Sequence, residues 1–455
     1  MNILSINPAD NKPLAKHKSH TPKQVRQKIK QTHRAWLKWR NTAFNERSGL
    51  LKKMADVLLS HKEDLAVLMA NEMGKPLKQG IAEVEKCAAV CTYYAGIAES
   101  FLKEQIIATD AFKSYVTFQP IGVVLAVMPW NFPLWQVFRF LAPALAAGNC
   151  GVLKHASNVP GCALAIEDIV KEAGFPDHVF QTLLIGSGEV EAIIADPLIQ
   201  AVTLTGSNAA GSKVAAKAGE LIKKTVLELG GSDAYIILKD ADLEQATEAC
   251  VNSRLINGGQ SCIAAKRFIV EEEIETEFTR LFVEKMRAKV MGDPLQNGTD
   301  IGPQARADLR DELHDQVIRS VQKGAKILLG GEVPKQPGAW YPPTVLTGVK
   351  KGMPASDEEL FGPVAAIISA RDEEHAITLA NDNIFGLGAA IFTADKTRGE
   401  HIAATRLEAG SCFVNTMVKS DPRLPFGGIK QSGYGRELGM FGIHEFVNIK
   451  TVFVA

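Results

Sequence analysis

An excess of charge of either sign is missing from this chain: its 455 residues carry 51 Lys and Arg against 51 Asp and Glu. That balance leaves no electrostatic footprint for nucleic acid or an anionic membrane. The one basic stretch, Lys16 to Lys30, is broken by Thr21-Pro22 and reads as a solvated helix face. No uninterrupted run reaches the ~20 apolar residues of a membrane span. Met1 to Asp10 lacks the charged start and apolar run of a secretory leader. Cysteine is sparse, and the seven present (Cys87, Cys91, Cys150, Cys162, Cys250, Cys262, Cys412) show no paired metal-ligand spacing. Cys87 and Cys91 are one helical turn apart and could mimic half a metal site, but with no second pair nearby they read as buried structural thiols. A reducing, cytoplasmic compartment is the natural expectation, with no metal, no nucleic acid and no membrane as partner. Internal repeats, low-complexity linkers and a Gly-x-Gly-x-x-Gly fingerprint are also missing.

Apolar residues, by contrast, are ample. At 46% hydrophobic content the chain can bury cores, and its length exceeds the size at which one core keeps growing, so two or more domains are expected. Thr21-Pro22 offers a cap followed by proline at the first helical position. Val25, Ile29, Thr32, Trp36 and Trp39 then recur at three- and four-residue steps, which predicts a helix. A second helix is expected over 46–72, stopping at Gly74-Lys75-Pro76, and a third over 79–102 with Ile81, Val84, Ala88 and Cys91 on one face. Beyond it, strands at 123–127, 150–154 and 201–205 alternate with helices at 133–147 and 161–173. A second series follows, with strands at 234–238, 267–270, 326–329, 365–369, 388–392 and 410–414 and helices at 243–257 and 274–290. This βαβ rhythm predicts α/β architecture with two parallel sheets. Residues 115–118 and 448–454 alternate like strands outside both series, and pairing with another subunit would cover their edges.

Two segments carry chemistry. Cys262 ends Asn257-Gly258-Gly259-Gln260-Ser261-Cys262, and Glu228 stands in Leu227-Glu228-Leu229-Gly230-Gly231. A soft nucleophile and a carboxylate able to activate water are the parts of thiol-based aldehyde oxidation. A thiol with Asp and His would suggest a protease or acyl transferase, but no His lies in the segments flanking either motif, and aldehyde oxidation needs no leaving-group acid. The plain structural readings are a buried thiol and a Glu capping a glycine turn. Pro129-Trp130-Asn131-Phe132-Pro133 follows the first strand and opens a helix, which puts Asn131 at a strand C-terminus, where α/β sheets bind ligands. Its amide can donate to an oxyanion or cap the helix.

With these segments, Leu204-Thr205-Gly206-Ser207, Glu359-Leu360-Phe361-Gly362-Pro363-Val364 and Pro425-Phe426-Gly427-Gly428 stand in an order that resembles the aldehyde dehydrogenase superfamily, from about Asn7 to the C-terminus. The resemblance implies two parallel-sheet α/β domains plus a small β oligomerisation arm. The dinucleotide-binding domain would take 1–104 and 123–229, the catalytic domain 230–429, and the arm 105–122 and 430–455, which assigns the two orphan strands and implies a homodimer or homotetramer. It further implies Cys262 as nucleophile, Asn131 and the Cys262 backbone N–H as oxyanion donors, and Glu228 as activator of the hydrolytic water, releasing an acid rather than passing the acyl group to coenzyme A. A thiol of pKa ~8.5 is little ionised at neutral pH, so a helix N-terminus or the positively charged nicotinamide ring must favour the thiolate.

The same resemblance places cofactor contacts on Trp130, Lys154, Ser157, Gly206, Ser207, Glu359 and Phe361. Relatives preferring NAD often carry Glu where this chain has Ser157. A hydroxyl beside the Lys154 cation can donate to a 2′-phosphate, so NADP is expected to be preferred, with NAD possible. A passive turn residue at Ser157 and a solvated acid at Glu359 are the plain alternatives, and His155 reads as a packing residue. On the substrate side, the helix at 133–147 is apolar apart from Gln136 and Arg139, and burying a guanidinium without a partner is costly. Either a structural Asp or Glu or the carboxylate of a small-molecule aldehyde should meet Arg139. Lys154-His155-Ala156, Lys419-Ser420-Asp421 and the short N-terminus look most like the succinate semialdehyde dehydrogenases. That likeness implies that Arg139 and Ser420 bind a distal carboxylate, with Asn415 and Phe426 lining the pocket. Arg139→Ala is then expected to raise KM for the carboxylated aldehyde far more than for an uncharged one. Another short-chain aldehyde, or a catalytically silent binding protein, are the alternatives.

Overall fold

The computed structural model describes residues 2–455. Helix α1 (Pro22–Trp39) begins at a capping box: Thr21 accepts from the Gln24 backbone N–H at 3.3 Å, and Gln24 accepts from the Thr21 backbone N–H at 2.8 Å. The expected second helix is two helices, α2 (Phe44–Ser60) and α3 (Lys62–Met73), because His61 (φ −103°, ψ 13°) leaves the helical region. Helix α4 (Leu77–Phe101) packs on α2 and α3 and also on α5 (Trp135–Ala146).

These helices flank a six-stranded sheet ordered Gly433–Tyr434, Lys224–Glu228, Ile199–Thr205, Val123–Met128, Cys150–His155, Phe180–Thr182, parallel except at Gly433–Tyr434. A seven-stranded sheet, ordered Lys326–Leu329, Thr344–Thr347, Val364–Ala370, Arg267–Glu271, Ala234–Ile237, Gly388–Phe392, Ser411–Val414, is parallel except at its first strand. Its central strands are buried on both faces, as helices covering a parallel sheet require.

One expectation needs correction, and two strand placements add to the sequence reading. Residues 2–18 form an antiparallel hairpin, Asn2–Ile6 with Pro13–Lys18, so Lys16 and Lys18 lie on a strand rather than a helix face. The two orphan strands pair with each other: Lys113–Pro120 and Val447–Val454 run antiparallel with Phe118 opposite Ile449, and Gln105–Ile106 adds a third strand. Lastly, residues 430–446 do not belong to that small sheet. Gly433–Tyr434 closes the edge of Lys224–Glu228, and the helix Gly439–His444 packs on α4 and α5, so only Val447–Val454 reaches the three-stranded sheet. No helix among the described residues is long and apolar enough to cross a membrane.

Candidate active site

Cys262 lies on a turn between the helix Leu243–Leu255 and the strand Arg267–Glu271. Before it, Asn257, Gly258 and Gly259 hold φ of +53°, +62° and +77°, a left-handed run that glycine adopts freely and Asn tolerates best among other residues. A Cβ on Gly259 would lie 2.2 Å from the Gly362 carbonyl oxygen, so this turn is pressed against the segment carrying Glu359 and Phe361. Two buried cations clamp it. Arg254 Nη2 donates to the Gly259 carbonyl at 2.7 Å, and Lys266 Nζ donates to the carbonyls of Ser261 and Cys262 at 2.8 and 2.6 Å. Of the two alternatives for favouring the thiolate, no helix N-terminus follows Cys262, because the chain there turns directly into a strand. Burial pushes the Cys262 thiol up to about 12, only partly offset by Lys266 and Arg139.

Asn131 is fixed from several sides. Its Nδ2 donates to the Gln260 carbonyl at 3.1 Å, and its own carbonyl accepts from Lys75 Nζ at 2.9 Å and Asn257 Nδ2 at 2.7 Å. The capping alternative for Asn131 is filled by another residue. Glu83 Oε1, from α4, accepts the backbone N–H groups of Leu134 and Trp135 at 2.9 Å each, and Glu83 also pairs with buried Lys75. Sequence reading missed Lys75, Glu83, Arg254 and Lys266; Arg254 and Lys266 flank the cysteine motif and could have been noticed there, whereas Lys75 and Glu83 act on Asn131 and the helix after it from 51–56 residues away.

Two cavities meet at the thiol. One, of about 480 Å³, is bordered by Trp130, Asn131, Gly206, Ser207, Glu359 and Phe361; the other, of about 390 Å³, by Trp135, Arg139, Ser420 and Phe426. Among the described residues Cys262 alone borders both.

The larger cavity suits a dinucleotide. Ser207 caps the helix Asn208–Glu220, its oxygen accepting from Ala210 N at 3.4 Å, so a helix N-terminus opens beside it. Glu359 Oε1 accepts from Gly231 N at 3.0 Å, and burial raises its carboxyl. Lys154 and Ser157 border neither cavity. Lys154 is the penultimate residue of the strand Cys150–His155, buried and without a carboxylate partner among the described residues, and burial lowers its ammonium; Ser157 is exposed in the following turn. His155 has a structural part, facing the Pro133 carbonyl through Nε2 at 2.8 Å, while burial pushes it down to about 4.

Glu228 also borders neither cavity. It is buried at the end of Lys224–Glu228, neither carboxyl oxygen has a hydrogen-bond partner, and a Cβ on Gly427 would meet Oε1 at 2.7 Å. Burial, then the Glu437 carboxylate, holds Glu228 well above the usual carboxylate range, against the pull of Arg139 and Arg436.

Arg139 meets a protein acid. It forms a buried ion pair with Glu437, donates to Thr205 Oγ1 at 3.4 Å, and lies 4.8 Å above the Phe426 ring. Ser420 and Phe426 line the smaller cavity; Asn415 does not. Its Oδ1 accepts from Thr393 N at 2.9 Å and its Nδ2 donates to Thr393 O at 2.8 Å, so both amide atoms are committed to a turn outside the cavity.

The model of the aldehyde dehydrogenase family matches residues 1–452. A Synechocystis protein named probable succinate-semialdehyde dehydrogenase (NADP(+)) is 50% identical over 455 residues, covering 100% of each chain. An Escherichia coli succinate semialdehyde dehydrogenase (NAD(P)+) is 47% identical over 450 residues, covering 99% of this chain and 97% of its own. Among solved structures, the succinic semialdehyde dehydrogenase of Streptococcus pyogenes in complex with NADP+ superposes with a TM-score of 0.97 at 38% identity, covering 99% of each chain. By sequence over its whole length and by fold, the chain belongs to the aldehyde dehydrogenase family.

Proposed function

We propose that this protein oxidises succinate semialdehyde to succinate, with NADP as preferred oxidant and NAD accepted. The observation that carries this reading is Cys262 at the junction of two cavities, one fit for a dinucleotide and the other lined by cations and apolar rings. Relatives near half-identical over the full length bear the corresponding name, and one solved relative holds NADP+. In this reading Trp130, Gly206, Ser207, Glu359, Phe361, Lys154 and Ser157 hold the dinucleotide. The chemistry that an NADP molecule supplies when bound is acceptance of a hydride.

The remaining steps belong to side chains of this protein. The Cys262 thiol gives up its proton to water as its sulfur adds to the aldehyde carbon, and the Asn131 amide with the Cys262 backbone N–H holds the oxygen. One donor of that kind typically contributes about 10²–10³ in rate. Once Cys262 carries the acyl group as a thioester, Glu228 takes a proton from water, which attacks the carbonyl carbon; the carboxylic acid leaves and the thiolate is restored. Residues 1–104 and 123–229 form the dinucleotide-binding part, and 230–429 the catalytic part. A homodimer or homotetramer assembles in the cytoplasm through the three-stranded sheet, on which Ile106, Ile449 and Phe453 are exposed.

Reduced-cofactor absorbance with two cofactors against aldehydes with and without a terminal carboxylate tests the reading. The expected outcome is highest kcat/KM for NADP with succinate semialdehyde. Cys262→Ala should abolish turnover, and mass spectrometry should find the acyl adduct on Cys262 in the wild type; turnover surviving in Cys262→Ala would refute the mechanism.

A further inference from the structure

The smaller cavity is walled by Phe132, Trp135, Ile263, Met417, Val418 and Phe426, yet Lys86, Arg139, Lys289 and Lys419 also face it. These cations are not equivalent. Arg139 is committed to Glu437, and Lys289 reaches Asn252 Oδ1 at 3.4 Å near the rim. Half-buried Lys86, from α4, donates from Nζ to Ser420 Oγ at 2.6 Å, with Nζ 4.3 Å from the centre of the Trp135 ring. The acids around it are engaged by other groups: Glu83 by Lys75 and two backbone N–H groups, Asp421 by Arg423 at 2.6 Å, and Asp300, which also lines the cavity, by the Val290 backbone N–H at 2.9 Å.

An ammonium has three N–H donors. One of those on Lys86 goes to Ser420, and among the described residues no carboxylate pairs with it. A cation held against aromatic walls without a counter-ion gains from any anion that enters. Because Ser420 Oγ accepts from Lys86, its own proton is free to point elsewhere. The two groups together offer an ammonium and a hydroxyl, both donors, to one carboxylate.

We propose that Lys86, acting with Ser420, is the anchor for the distal carboxylate of the substrate and sets the preference for a carboxylated aldehyde. This deepens the succinate semialdehyde reading and rests on it. The neighbourhood agrees: burial, then Arg139, pushes Lys86 down to about 8, while Glu83, Asp421 and the Cys87 thiol act in the opposite sense. Lys289, Asp300 and Lys419 are the other charged groups on the cavity wall. The ammonium is therefore present below about pH 8 and lost above it.

The experiment compares kcat/KM for succinate semialdehyde and for butanal, an uncharged aldehyde of the same length, in wild type, Lys86→Met, Lys86→Gln and Lys86→Arg. The expected result is a fall in the ratio of the two by about 10- to 100-fold in the Met and Gln variants, the scale of one hydrogen bond to a charged group, carried by KM for succinate semialdehyde. Lys86→Arg restores most of it. Wild-type KM for succinate semialdehyde, relative to butanal, should also climb as pH rises through about 8, a reading independent of any variant's folding. Equal losses on both aldehydes, or an unchanged ratio in a wild type that prefers succinate semialdehyde, would overturn the assignment of Lys86 alone. A wild type without that preference would overturn the substrate reading and this inference with it.

Discussion

Arg139 and Glu437 form a buried ion pair beside the Phe426 ring, so a protein carboxylate occupies the guanidinium that the sequence alone left open to a substrate. The strand Gly433–Tyr434 makes this possible. By adding to the edge of Lys224–Glu228 it carries the chain on to Glu437, which exchanges backbone hydrogen bonds at 2.7 Å with Phe426 in an isolated antiparallel bridge.

Arg139→Ala should therefore act on the fold before it acts on selectivity. Removing one partner leaves the Glu437 carboxylate buried and uncompensated, a change that typically costs about 3–5 kcal/mol. Urea unfolding should show that loss, and kcat/KM should fall together for succinate semialdehyde and butanal. A second replacement, Glu437→Gln, should recover much of the stability. Full stability with a KM defect confined to the carboxylated aldehyde would instead make Arg139 a direct substrate ligand.

Glu228 should leave a signature in the pH profile of thioester hydrolysis. As a base it must be ionised, and burial with Glu437 beside it raises its pKa, so the hydrolytic rate should rise with pH through a value above the usual carboxylate range. Arg139 and Arg436, which also face it, pull the other way. Glu437→Gln removes the repelling charge and frees Arg139 to attract Glu228, so the rising limb should move to lower pH. Single-turnover hydrolysis across pH measures this; a limb that stays in place would show that Glu228 does not control it.

The parts of this architecture written as apolar runs were legible. Buried strands such as Val123–Met128 and Ala234–Ile237 announce themselves because both faces meet helices. The hairpin strand Pro13–Lys18 was not, because nearly every residue on it is exposed and no apolar period remains to read. Cys262, Glu228 and Asn131 stood out through local motifs, but their supports did not. Lys75 reaches the Asn131 carbonyl from 56 residues away, and Glu83 caps α5 from 51 and 52. Lys86 was passed over for the same reason: its partner Ser420 is 334 residues distant. Asn415, by contrast, looked like a pocket residue only by resemblance, and its left-handed φ of +55° with two bonds to Thr393 gives it a turn to hold.

Ser157→Glu should invert the cofactor preference. Ser157 is exposed in the turn after the strand that ends with Lys154 and His155, and Lys154 has no carboxylate partner among the described residues. Burial lowers the Lys154 ammonium, so a phosphate or carboxylate arriving nearby is favoured by restoring its charge. With Ser157 that place is free for a 2′-phosphate. In the Ser157→Glu variant the new carboxylate would pair with Lys154, offer acceptors to two ribose hydroxyls, and repel the phosphate. One added repulsion and one lost charge-assisted hydrogen bond should together move the NADP-to-NAD ratio of kcat/KM by about 10²–10³-fold. Ser157→Ala, which removes the hydroxyl without adding charge, should weaken NADP by a smaller factor and leave NAD nearly untouched. Steady-state kinetics with each cofactor at saturating aldehyde reads all three proteins, and a glutamate variant that still favours NADP would show that the 2′ position is read elsewhere.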